Sequence, residues 1–353
     1  TRFPARRGII SGRRTCPTPP SRKPRFMTIR ATPNKTYSSG VIFFLAPAVI
    51  VLLAVGIFPL LFAVWNSMHE FILSRARIYA LHGQPFLWFQ NYLGLVNDAG
   101  FRESLLRTFV FLLINLPVQL VLGLLIALLL HKVGHEWLKN ICRVSLVIPL
   151  ATTLAVVGLM GRLMFNSSFG VVNYAVATVI SLFHSIGPLL QGHFQVLHGF
   201  WRHVVPSNMI DWLGNPNLAF ATVSIMDCWQ WTPFCALVLL SSLTLVPPEI
   251  EEAAKLETDR WWQILWRVQL PFMLPGITAI LILRTADILK MFDVVYTMTQ
   301  GGPGNATDLI SVYVQRVGFR QVDQGVASAQ AIVLLIITII LSRVYIRYFY
   351  REI

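Results

Sequence analysis

Six long apolar runs punctuate the chain, and charged, proline and glycine residues return between them. The runs cover about residues 41–65, 108–130, 144–165, 219–246, 270–298 and 325–342. Each reaches the roughly 18–20 residues that a helix needs to cross a hydrocarbon core about 30 Å thick. Lipid offers no water to backbone amides and carbonyls, so runs of this kind are expected to be helices. The pattern predicts an all-α polytopic membrane protein with six transmembrane helices. One stretch complicates the count. Residues 163–201 hold no charged side chain, and VVNYAVATVISLFHSIGPLL within them has the length of a seventh span. A seventh span would invert everything after it. The reading preferred here is an outer-face or interfacial helix broken at Gly187-Pro188, inside an outer-face insertion of about residues 166–216.

Composition agrees with the pattern. Of 353 residues 55% are hydrophobic and 13% charged, where soluble domains carry about 25% charged. That deficit excludes an ordinary soluble domain. The net charge of +13 is unevenly placed: the first 40 residues hold ten Lys/Arg and no Asp/Glu. Residues 1–40 are expected to form a disordered basic tail on the cytoplasmic side. A nucleic-acid arm or a transit peptide is the other reading of such charge, but no aromatic or helical pattern accompanies it. Residues 1–26 are expected to be leader or upstream sequence, with a functional chain starting at Met27. Lys132, Lys139, Arg143, Lys255, Arg260, Arg267, Arg343, Arg347 and Arg351 all fall on one side of a six-span topology. By the positive-inside rule that side is the cytoplasm, with both termini there, in a cell (inner or plasma) membrane. Arg75, Arg77, Arg102, Arg202, Arg316 and Arg320 oppose the bias without reversing it.

Reactive chemistry is sparse. Cys16, Cys142, Cys228 and Cys235 form no C-x-x-C pair, which argues against a disulfide framework or a zinc site. His184, His193, His198 and His203 cluster in sequence. Steps of five residues turn a helix by roughly 500°, so they share no face and no metal site is expected. Polar residues inside the spans are more informative, because ionisable groups in lipid usually face a cavity or a partner. Asp227, Gln230, Trp231 and Phe234 lie on one face of the fourth span. Aromatic rings beside hydrogen-bonding groups suit a sugar, though helix packing is an equal reading. Arg284, Asp287, Lys290 and Asp293 step by three along the fifth span, which allows successive ion pairs. Asn115 and Gln119 are weaker candidates in the second.

The segment between the fourth and fifth spans, PPEIEEAAKLETDRWWQILWRVQLPFMLPGI, is polar and amphipathic. Pro247-Pro248 ends the fourth span. Glu249, Glu251 and Glu252 favour the first turn of a new helix. A sharp turn near Thr258-Asp259 is expected to lead into a second short helix with Trp261, Trp262, Leu265 and Trp266 on its apolar side. Pro271 and Pro275 then restart a membrane helix. A projecting amphipathic helix is built to occupy a partner's groove.

Here the sequence resembles a known family. Glu252-Ala253-Ala254 followed by Val268-Gln269-Leu270-Pro271 resembles the EAA loop of ABC importer permeases, with matching spacing. Thr258 stands where that family has Gly, and Val268 where it has Ile. FFLAPAVIVLLAVGIFPLLFAVWNSM, NYLGLVNDAGFRESLLRTFVF, DWLGNPNLAF, WQWTPF and FDVVYTMTQGGPGNATDLISVYVQRVGF resemble, in order, the carbohydrate-uptake branch typified by maltose and glycerol-3-phosphate permeases. The likeness covers about residues 41–350, except a longer stretch around 180–206.

The resemblance implies a permease subunit of an ATP-driven, binding-protein-dependent importer for a sugar or related polar solute, working by alternating access. Its implied partners are a second permease subunit, two copies of a nucleotide-binding ATPase subunit, an extracytoplasmic solute-binding protein and membrane lipid, with no nucleic acid. It implies ATPase coupling through Glu251, Glu252, Ala253, Ala254, Leu256, Thr258 and Asp259. It places substrate contacts around Gln230, Trp231, Phe234, Lys290 and Met291, beside which Asp227 and Asp287 complete the candidate path. No G-x-x-x-x-G-K-[ST] loop occurs, so no catalysis and no bound cofactor are expected in this chain, with ATP and Mg on the partner ATPase. GGPGN at Gly301 reads as a turn. An ion-coupled secondary transporter using Asp227, Asp287 and Lys290 is the alternative.

Overall fold

The computed structural model describes residues 37–186 and 210–349. By compactness the chain divides after Gly56. The first unit contributes α1 (Tyr37–Val51) and most of the π-helical segment Leu52–Ile57 that follows it. The tail before α1 lies outside the described residues, as do Gly187-Pro188 and the histidines at 193, 198 and 203. The second unit is built from α2 (Phe58–Ser67), α3 (Ala76–His82), α4 (Gln90–Asn97), α5 (Ala99–Lys132), α6 (Glu136–Ala151), α7 (Leu154–Met164) and α8 (Val171–Ile186). After the gap come α9 (Pro216–Leu243), α10 (Pro248–Glu257), α11 (Trp261–Ile264), α12 (Leu270–Leu289), α13 (Asp293–Met298), α14 (Ile310–Gln315) and α15 (Gln324–Phe349). Among the described residues extended pairing is limited to two isolated bridges, His69 with Phe86 and Ile72 with Asp323.

Five helical runs are long and apolar enough to cross a bilayer: Phe44–Ser67, Ala99–Lys132, Pro216–Leu243, Trp261–Leu289 and Gln324–Tyr348. α6 and α7 are apolar enough only when taken together, as a pair bent by 93° at a short break, and counting that pair as one span gives six. This is an all-α polytopic membrane fold. Its spans depart from the apolar pattern in three places. The second begins at Ala99, where the Asp98 side chain caps the helix by accepting from the Phe101 amide. Its 34 residues reach about 50 Å, so the first turns, with an Arg107–Glu103 ion pair, extend beyond the apolar run. The third is bent at Thr152 and Thr153, both extended in backbone, just after Pro149 has removed a helical donor. The fifth runs continuously from Trp261 and stops at Leu289 rather than near 298. A π-helical turn at Leu265–Gln269 accommodates Pro271, whose ring would clash with a regular α-helical carbonyl. Beyond Lys290 the chain restarts as the separate helix α13.

The α9 helix is the axis of the bundle. It packs along α5 and touches α6, α7, α12 and α13, and 56% of its apolar window is buried, against 22% for the last span. Lipid gives helices no hydrophobic reason to associate, so close backbone approach has to hold them. Gly123 of α5 provides it: a Cβ there would stand 2.7 Å from the Cys235 Cβ and 3.0 Å from the Ala236 amide of α9. Around this crossing, Ala127, Leu130, Leu239, Leu243, Met273 and Ile280 form one apolar cluster. Phe111, Leu116, Val157, Met226, Ile288 and Val294 form another. Leu113, Leu129, Ile339 and Ile340 remain exposed, as suits side chains that meet acyl tails.

Candidate functional site

Three polar side chains from three spans meet inside the bundle. Arg284 of α12 donates from Nη2 to both carboxylate oxygens of Asp227 on α9, at 3.1 and 2.9 Å. Its Nε donates to Gln119 Oε1 on α5 at 2.9 Å, and Gln119 Nε2 donates to Asp227 Oδ2 at 2.7 Å. The triangle is closed, and Arg284 is 1% and Asp227 2% exposed. One turn away on α5, Asn115 donates to Ser224 Oγ at 3.2 Å, and Cys228 donates to Asn115 Oδ1 at 3.3 Å. A buried pair survives in low dielectric only when each charge is matched and its hydrogen bonds are satisfied.

Toward the next turn of α9, the half-buried Trp231 lies against this cluster, with the Arg284 guanidinium 4.5 Å from its ring centroid. Phe234 meets Trp231 edge-on at 6.0 Å. Gln230 is buried and donates from Nε2 to the Thr152 carbonyl at 3.0 Å. That carbonyl sits where α6 breaks away from α7, so α9 holds the bend of the third span. The Gln230 Oε1 is buried with no protein partner. Of the expected α12 ladder, Lys290 pairs with Asp287 at 3.0 Å. Arg284 turns instead to Asp227, and Asp293 begins α13. Met291 is buried in the apolar cluster, where its carbonyl accepts from Ser311 Oγ. Asp227 lies behind the aromatic face rather than on it.

The Asp227–Arg284 pair joins two helices, whereas spacing along the fifth span predicts a ladder within one helix. The signal was there: a solitary carboxylate and a solitary guanidinium, in different apolar runs, each need an opposite charge.

A second cluster joins α5 to the segment after α12. Tyr313 donates to Asp98, at 3.0 and 2.8 Å to its two oxygens. Arg316 pairs with the buried Asp308 at 2.5 Å, and the Ile310 amide donates to Thr108 Oγ1 at 2.9 Å. Burial pushes the Asp308 carboxyl upward, and Arg316 pulls it only part of the way back. Burial, then the bond to Asp98, raises Tyr313 to about 12. The GGPGN stretch is a turn: Gln300, Gly301, Gly304 and Asn305 all have positive φ, and Thr307 Oγ1 donates to the Gly302 carbonyl at 2.7 Å.

The loop after α9 forms α10 as expected, but no separate second helix follows it: Trp261 opens the fifth span itself, which runs through Pro271 and Pro275 to Leu289. In α10, Glu252, Ala253 and Leu256 are exposed, Leu256 at 90%, while Ala254 is buried. Glu251 turns inward instead, 3.0 Å from Lys255 and 3.7 Å from His131 at the end of α5. Thr258 has φ −152°, an extended conformation with no need for glycine. Its hydroxyl accepts from the Arg260 amide at 3.2 Å and donates to Gln263 Oε1 at 2.7 Å. Asp259 is exposed beside it. Trp261, Trp262 and Trp266 are exposed while Ile264 and Leu265 are buried. No group of His, Cys, Asp and Glu suited to a metal occurs among the described residues.

A bundle of bent, apolar helices with a polar interior and a projecting amphipathic helix belongs to the class of multi-pass membrane transport proteins. The profile of the binding-protein-dependent transport system inner membrane component family matches residues 92–353. The chain is 30% identical over 306 residues to the sulfoquinovosyl glycerol transport system permease protein SmoG of Agrobacterium fabrum, covering 86% of this chain and 88% of that one. It is 28% identical over 303 residues to the trehalose/maltose transport system permease protein MalF of Thermococcus litoralis, covering 85% and 90%. It shares its fold with a solved bacterial ABC transporter involved in import of the acidic polysaccharide alginate. The TM-score is 0.68 at 19% identity, over 89% of this chain and 98% of that chain. The protein belongs to the family of binding-protein-dependent transport system inner membrane components: it is a multi-pass inner-membrane permease subunit of an ABC importer.

Proposed function

We propose that this chain is one of two permease subunits forming the path for a sugar or related polar solute, driven by a pair of ATPase subunits. The observation that carries the reading is the pairing of an outward-facing α10 with a polar, aromatic face on α9 inside the bundle. Leu256 projects from this amphipathic helix almost wholly exposed, and an ATPase groove is a partner suited to such a helix. Glu252, Ala253, Leu256 and Asp259 form the docking surface. Glu251, Ala254 and Thr258 hold it to the membrane domain and shape its turn. This places the α10 loop, Lys132 and both termini in the cytoplasm.

On the α9 side, Gln230, Trp231 and Phe234 form the wall that meets the solute, with Asp287 and Lys290 bordering it. Asp227 supports that wall from behind, and Met291 braces it through the apolar cluster. Names of relatives support the solute class: besides the two permeases above, the chain is 27% identical over 266 residues to the diacetylchitobiose uptake system permease protein of Streptomyces coelicolor. A solved alginate transporter in complex with an alginate-bound periplasmic protein, at TM-score 0.67, supports delivery by a solute-binding protein at the outer face. Closure of the ATPases moves α10, and the helices rock between inward- and outward-facing arrangements around the site.

The test is uptake into proteoliposomes holding the assembled permease pair, with and without the ATPase subunits and ATP. ATP-dependent uptake that requires the ATPase and the binding protein is expected. Uptake by this chain alone, driven by a proton gradient, would overturn the reading.

A further inference from the structure

On the reading of α9 as the solute wall, we propose that Arg284 is a positioning residue rather than a solute-binding cation, and that this wall selects an uncharged polyhydroxylated solute. Four observations converge. Arg284 is the one cation among the membrane residues of α9 and α12, and its charge is matched: Asp227 accepts from its Nη2 and Gln119 from its Nε. The guanidinium also stacks against the Trp231 ring, 4.5 Å from its centroid. Cation–π stacking on a planar group fixes ring orientation as well as stabilising it. Lys290, 72% exposed just past the end of α12, already lies 3.0 Å from Asp287. Each cation beside the wall is therefore matched in charge by a carboxylate.

What remains to face a solute points the same way. An indole presents the negative face of its quadrupole, which attracts C–H groups of a sugar ring and repels carboxylate or sulfonate. The Gln230 amide gives one N–H to the Thr152 carbonyl and keeps a buried acceptor oxygen with no protein partner. Such an oxygen is costly to leave unmatched and is satisfied by a hydroxyl donor, never by an anion. Ring face and acceptor together describe a neutral glycoside. Gln119, Asp227 and Arg284 act on it through Trp231.

The experiment uses the complete importer with its binding protein in proteoliposomes and two panels of labelled probes. One panel is neutral (maltose, trehalose, diacetylchitobiose) and one anionic (sulfoquinovosyl glycerol, alginate oligosaccharides). ATP-dependent uptake confined to neutral probes is expected. Uptake confined to the anionic panel would overturn the charge-matched wall while leaving the importer reading intact; ATP-independent behaviour with every probe would overturn the importer reading itself. Positioning is read in Arg284→Lys, which keeps the charge but loses the planar stack. Its KM for the transported probe should rise about tenfold with maximal rate nearly unchanged. The solute-induced Trp fluorescence change that Trp231→Phe abolishes should shrink in parallel. Because a broken buried pair can prevent folding, the double variant Asp227→Asn with Arg284→Gln, which removes both charges, is the companion. It should transport better than either single variant and show the same raised KM. Unchanged KM and fluorescence in both Arg284→Lys and the double variant would sink the positioning role.

Discussion

At the scale of single residues, Thr258 shows how a departure from a family's pattern can be harmless. Glycine is required where φ is positive, but here φ is −152°, and the threonine hydroxyl ties the Arg260 amide and Gln263 into the following helix. Thr258→Gly is therefore expected to weaken the loop. It should lose about 1 kcal/mol through the lost hydroxyl bonds to Arg260 and Gln263 and the added freedom of the unfolded chain, while Thr258→Ser stays near wild type. Thermal unfolding of the purified complex checks this, and a glycine variant as stable as wild type would contradict a stabilising role for the hydroxyl. Asp308 makes a pH prediction. Its carboxyl is raised from 3.8, chiefly by burial, so the folded protein takes up this proton before the unfolded chain does. Its ion pair with Arg316 opens on acidification. By linkage this group's contribution to stability nevertheless grows as pH falls, from its raised folded pKa down to its ordinary value. The Tm difference between wild type and Asp308→Asn should move in favour of wild type as pH falls toward the ordinary carboxyl value of 3.8. A difference independent of pH would show that Asp308 titrates like an exposed aspartate.

At the scale of elements, α10 separates residues that the motif groups together. Glu252 projects outward, whereas Glu251 reaches back to His131 on α5. The same α5 carries Gln119 in the buried triangle, about 18 Å along the helix from His131. The two glutamates should then fail differently. Glu252→Lys is expected to weaken ATPase association tenfold or so, by reversing charge at the contact, as read by co-purification and by solute-stimulated hydrolysis. Glu251→Gln should leave association nearly intact and lower solute moved per ATP, because the tether to α5 is slackened. Identical losses of association in both variants would remove the distinction. Much of this element was legible in the chain: prolines at Pro247 and Pro248, acids in the first turn and apolar residues at helical spacing all have local causes. The bend at Thr152 and the early stop at Leu289 were not. Apolar runs measure length, whereas a bend depends on which neighbour takes the freed carbonyl, and that neighbour is Gln230, 78 residues away in sequence. The Asp227–Arg284 pair was hidden for the same reason, since helical spacing ranks partners within a helix and says nothing about the one across the bundle.

At the scale of the whole molecule, one geometric condition decides the rest: α10 has to lie on the opposite side of the membrane from the Gly301–Asn305 turn. The fifth span alone separates them, Trp261–Leu289 being a single continuous helix of 29 residues. At 1.5 Å per residue it covers about 44 Å, enough to cross the core with both ends in the interfaces. A seventh span near residue 180 would move both ends together and exchange the two faces without joining them, so opposition by itself cannot choose between topologies. Sidedness can. Single cysteines placed at Ala253 and Asn305, both exposed, in a background lacking the native thiols, are to be challenged with an impermeant maleimide on intact spheroplasts and on inverted vesicles. Labelling of the Asn305 position on spheroplasts, and of the Ala253 position only on inverted vesicles, is expected. The reverse pattern would place α10 outside, out of reach of any cytoplasmic ATPase. It would make the α8 region a true span and remove the coupling role from Glu252 and Leu256 at once.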